Sequence, residues 1–130
     1  MKHARLLSAA VATIALLSVG CASVPILNVT SAPVNAPKQL SMQEVENAIT
    51  RAGKVNGWQM KTIRPGQLEG TLHLRTHRAV VDIIHTTSNY SIAYKDSSNV
   101  DYDGTNINRG YNRWVKGLDD AIKIQLASSF

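Results

Sequence analysis

The chain has 130 residues, room for one domain and an attachment segment, and a single cysteine, which excludes an intrachain disulfide. Fourteen Lys and Arg stand against nine Asp and Glu, net +5, with no long basic run, which argues against nucleic acid as a partner. No catalytic or cofactor motif stands out, so the sequence speaks first about placement.

Met1 to Arg5 is short and positive, Leu6 to Val19 carries no charge, and Gly20-Cys21 closes the run. These are the parts of a secretory signal. Fourteen apolar residues make a helix of about 21 Å, short of the roughly 30 Å hydrocarbon core. Leu17-Ser18-Val19-Gly20-Cys21 resembles the lipobox of bacterial lipoproteins, with Ser18 departing from the usual aliphatic residue. The resemblance implies a signal peptide over 1–20, signal peptidase cleavage between Gly20 and Cys21, and lipidation (palmitate among the acyl chains) of Cys21 as the first mature residue. Ala22 after the cysteine, rather than Asp, implies sorting to the bacterial outer membrane, lipid-anchored on its periplasmic face. Acyl chains contribute about 0.8 kcal/mol per buried methylene, so three of them hold a protein essentially permanently. Cleavage removes Lys2 and Arg5, leaving 110 residues with 12 basic against 9 acidic, net +3.

Residues 21–38 hold the lipidated Cys21 and a stretch with Pro25, Pro33 and Pro37 and almost no charge. The prolines predict a flexible spacer that lifts the domain off the membrane. Residues 39–130 are then the periplasmic domain.

Ser41 to Ala52 predicts the first helix. Ser41 and Glu44 form a capping box, Met42, Val45, Ile49 and Ala52 share a face, and Gly53 is its left-handed stop. Four short strands follow: 58–63, 67–75, 79–85 and 90–95, linked by Arg64-Pro65-Gly66, Thr76-His77-Arg78 and Thr86–Asn89. Short links favour an antiparallel meander. Residues 96–106 predict a loop. From Ile107 to about Ala127 a longer helix is expected, capped by Asn106, with Ile107, Tyr111, Trp114, Val115, Leu118 and Ile122 inward and Gly117 packed on the sheet. The expected fold is α+β, a single small domain in the order α-β-β-β-β-α, with a four-stranded antiparallel sheet between an N-terminal and a longer C-terminal helix. The run from Tyr90 to Ile122, with Pro65-Gly66 upstream, resembles a group of small, largely uncharacterised proteobacterial lipoproteins over residues 40 to 125. The resemblance implies a cell-envelope protein and supplies no activity.

Several side-chain sets invite a chemical reading. His73 and His77 have H-x-x-x-H spacing, but on a strand four residues separate side chains by about 13 Å, too far to share a metal; His85 is a third imidazole. Asn99, Asp101, Asp103 and Gly104 resemble the start of a calcium loop, yet its twelfth position is Gly110 in place of Glu, so good turn formers are the simpler reading. Asp101 and Asp103 as an acid/base pair would make the protein a cell-wall or glycan hydrolase. His85 with an Asp and a Ser lacks any nucleophile-elbow context. Lys61, His73, Arg75, His77 and Arg78 make the second turn basic, either to meet envelope phosphate or carboxylate groups or to guard a strand edge. Trp58, Trp114, Tyr90, Tyr94, Tyr102 and Tyr111 are expected to divide between core and rim.

The expectation is a non-catalytic, membrane-anchored interaction module. Its partners are the membrane, through the lipid, and an envelope protein or peptidoglycan. No catalytic residue, metal or cofactor is assigned, and the alternatives are the hydrolase and a metal-binding module.

Overall fold

The computed structural model describes residues 23–130. The signal segment, Gly20 and Cys21 lie outside them.

The first helix, α1 (Met42–Val55), starts as the capping box requires. Ser41 Oγ accepts from the Glu44 N–H at 3.1 Å and Glu44 Oε1 accepts from the Ser41 N–H at 3.2 Å. Its end differs from expectation. Gly53 is helical and buried, and a Cβ there would run into the Met60 side chain. It serves a close approach, and the positive-φ stop is Gly57, at φ 80°.

Four strands follow as the meander expected: β3 (Trp58–Arg64), β4 (Gln67–Leu74), β5 (His77–His85) and β6 (Asn89–Ser98). Pro65-Gly66, with Gly66 at φ 83°, joins β3 to β4, and Arg75-Thr76 joins β4 to β5. His77 and Arg78, expected in that turn, are paired strand residues opposite Leu74 and His73. A bulge between Val80 and Val81 lets β6 run on to Ser98, into the stretch expected to be loop.

The main correction concerns residues 23–36. The expected spacer folds as β1 (Ser23–Pro25) and β2 (Val29–Pro33). β2 adds a fifth strand, giving the antiparallel order β2-β6-β5-β4-β3, and β1 pairs with the short β7 (Asn106–Asn108). Proline is tolerated at strand ends on a sheet edge, where Pro25 and Pro33 stand. The low charge has a packing reason too: Ile26, Leu27, Val29, Ala32, Val34 and Ala36 are half-buried against the core.

The second helix, α2 (Arg109–Ala127), starts two residues later than expected because Ile107 is in β7. Asn108, not Asn106, is the cap, its Oδ1 accepting from the Gly110 N–H at 2.8 Å. Both helices contact strands and each other. The core between them and the sheet holds Val45, Ile49, Leu68, Val81, Ile83, Ile92, Tyr111, Val115, Leu118 and Ile122, all essentially inaccessible to solvent. The helices run antiparallel. Asn56 meets Gly117, and Arg51 Nε donates to Gln125 Oε1 at 3.1 Å. Gly117 faces the end of α1 and not the sheet, and a Cβ there would meet Asn56 only at ordinary contact distance. No helix among the described residues is long and apolar enough to cross a membrane.

Candidate functional site: a basic, aromatic pole

This packing gathers four chain segments at one pole: the end of α1, the start of β3, the β4–β5 turn and the start of α2. Asn56, Trp58, Leu72, Arg113, Trp114 and Gly117 line a groove of about 190 Å³ there. Trp58 and Leu72 form its buried floor, and Trp114 is half-exposed. The Trp114 ring lies over Gly110, whose Cβ position is 3.6 Å from Cζ2, and 5.9 Å from the His77 ring. His77 Nδ1 is 2.6 Å from the Asn99 carbonyl, and the Asn99 amide donates to Thr76 Oγ1 at 2.7 Å. These contacts fix the imidazole as a wall beside the indole.

The pole is also where residue 23 stands. Ser23 pairs with Asn108, immediately before α2. The Asn112 side chain accepts from the Leu27 N–H and donates to the Pro25 carbonyl, both at 2.9 Å, clamping β1 to the first turns of α2.

Charge sets this pole apart. Lys54, Arg75, Arg109 and Arg113 have no carboxylate within 4 Å among the described residues. Arg109 and Arg113 are one turn apart on α2, whose first turn has no acidic residue. Asp101, exposed on the 99–105 loop, is the nearest acid in sequence to this pole that is not engaged.

The basic set read from the sequence divides. Arg75 belongs to the pole. Arg78 is paired with Asp96 at 2.9 Å, and Lys61 lies on the outer sheet face beside Glu69. Asp96, bonded to the Arg78 guanidinium, is held below the usual carboxylate range. His73 and His77 alternate to opposite faces, and His85 lies eight residues along β5, about 26 Å away. The three imidazoles do not meet. Among the described residues no group of three His, Cys, Asp or Glu is placed to hold a metal.

His85 is buried under α1, with neither ring nitrogen hydrogen-bonded among the described residues. Burial lowers its pKa, against the opposing pull of the Glu46 carboxylate. In the 99–105 loop, Asp103 Oδ1 accepts from the Thr105 and Asn106 N–H groups at 2.9 and 2.6 Å, which lower its pKa. A general acid needs the opposite shift. Asn99 and Asp101 have positive φ, 58° and 54°, as turn formers do.

The aromatics divide as expected. Tyr90 is buried with its hydroxyl donating to Asp119, and burial with that carboxylate pushes its pKa far up. Tyr111 is buried, while Tyr94 stacks on exposed Tyr102 at 4.1 Å. Arg109 and Arg113 were not singled out in the sequence. The available signal was a pair of arginines four apart where a helix start favours acids.

No family model matches the chain, and no curated protein or solved structure matches it.

Proposed function

We propose that this protein is a lipid-anchored, non-catalytic module of the bacterial envelope. Cys21 holds it to the outer membrane, and the Trp114 pole binds an anionic envelope component. The observation that carries the binding reading is Arg113 lining the groove beside the half-exposed Trp114, with Lys54, Arg75 and Arg109 on the segments that meet there and no ion pair to any of the four among the described residues. Lys38, Arg78, Lys95, Lys116 and Lys123, by contrast, are each tied to an Asp or Glu. Such a site suits a ligand with negative charge and some apolar surface. The hydrolase alternative gains nothing from the geometry, because Asp103 is engaged by backbone N–H groups.

The test is chemical crosslinking of the full-length protein in intact envelopes, with Cys21→Ala and Trp114→Ala controls and mass spectrometry of the adducts. A defined envelope component, lost in both controls, is expected. Absence of any specific adduct contradicts the binding reading.

A further inference from the structure

We propose that the basic pole docks on the phospholipid headgroups of the membrane that anchors the chain. This inference rests on the lipid-anchor reading and names the partner of the same site.

The first argument is reach. Only Ala22 separates Cys21 from Ser23, and Ser23 is already paired to Asn108. Two residues span at most about 7 Å when fully extended. With residues 23–36 folded onto the sheet, the spacer that would have lifted the domain is gone. A lipid on Cys21 therefore brings the first turn of α2 to the headgroup layer.

The second argument is charge. Attraction between basic side chains and anionic headgroups acts within a Debye length, about 10 Å at 0.1 M salt. Arg109 directly follows Asn108, the partner of Ser23, and Arg113 is one turn further. Lys54 and Arg75 border the same pole, against the single unengaged carboxylate of Asp101. Phe130, at the far end of α2, stands about 28 Å away at 1.5 Å per residue, beyond that range.

The third argument is the indole. Tryptophan favours the water–hydrocarbon boundary, and half-exposed Trp114 sits beside Arg113, with exposed Leu74 and Val55 on the neighbouring turns. Exposed apolar side chains alone do not choose this pole, since Ile124 and Phe130 are exposed too. The coincidence of chain entry, unpaired cations and indole does. Peptidoglycan or a protein partner would need the pole to face away from the membrane, which a two-residue link does not favour.

The experiment uses the full chain, processed in a Gram-negative host, with lipidation verified by intact mass. It is reconstituted into vesicles of phosphatidylethanolamine and phosphatidylglycerol (3:1) or of phosphatidylcholine alone. The only other tryptophan, Trp58, is buried, so acrylamide quenching reports on Trp114. Quenching should be about two-fold lower in the anionic vesicles, with the difference abolished by 0.5 M NaCl and by the double variant R109E/R113E. Both arginines are exposed, and a melting curve checks that the variant folds. Equal quenching in the two vesicles, with a lipidated mass, overturns the docking and leaves the anchor standing. An unlipidated mass overturns anchor and docking together. Protection that appears only on adding peptidoglycan fragments overturns the lipid as occupant.

Discussion

The outer face of the sheet and the Trp114 pole both carry cations, but they use them differently. On the sheet, Lys95 bridges Glu69 at 2.7 Å and Asp82 at 3.6 Å, and Arg78 binds Asp96. Each of these cations has an acid across the strands, which favours this register. At the pole, Arg113 lines the groove beside the indole, and neither it nor Arg75 nor Arg109 has a carboxylate within 4 Å among the described residues. Exposed ion pairs contribute little to stability, about 0 to 1 kcal/mol. Neither set holds the fold together. The difference is one of availability, and it marks the pole as the surface with work left to do.

The largest expected effect separates anchoring from folding. Cys21→Ala should remove fatty-acid labelling of the protein completely, while the domain keeps its circular dichroism. Retained labelling would place the lipid elsewhere.

Next comes the core. Leu118 is fully buried, so Leu118→Ala should cost about 2–5 kcal/mol in denaturant unfolding. Trp114→Ala should cost less than Leu118→Ala in the same unfolding measurement, because the ring is half-exposed. If it destabilises as much as a core truncation, the indole is structural rather than a contact surface.

The charged pairs sharpen the comparison. Arg78→Ala and Arg113→Ala should each change stability by less than about 1 kcal/mol. Only the second should weaken headgroup contact, read by acrylamide quenching of Trp114 in anionic vesicles. Equal effects of the two would erase the distinction between sheet and pole.

The smallest effect is acid sensitivity from His85, remote from the pole. Its pKa is lowered by burial, so the unfolded chain binds the proton first. The stability it allows is present above the unfolded value of about 6.5 and is lost as pH falls below it, by at most about 1.4 kcal/mol per pH unit. His85→Gln should flatten that part of the melting-temperature profile between pH 7 and 5. The pole's arginines stay charged throughout, so headgroup docking should not follow this titration.

Much of the fold was legible in local signals. Ser41 and Glu44 announce α1, Pro65-Gly66 fixes a turn, and the Tyr111-Val115-Leu118-Ile122 spacing marks the buried face of α2. What escaped were features without period or propensity. β1 and β7 have three residues each, too few to show alternation. Pro25 and Pro33 read as spacer residues because local propensity favours extended chain and cannot say whether an edge awaits it. Gly53 looked like a stop because its reason, Met60, lies on the next strand. The pole was half legible. Arg75 was in view, but Arg78 could be set aside only once Asp96 was seen beside it. Arg109, Arg113 and Ser23 are brought together by the β1–β7 pairing alone.

The central claim is one of orientation, and site-specific photocrosslinking in intact envelopes tests it most directly. A photoreactive side chain replaces Arg113 in one protein and Phe130, at the opposite pole, in another. Phospholipid adducts at 113 and none at 130 are the result this account predicts. Phospholipid at 130, or only protein or peptidoglycan at 113, would contradict it.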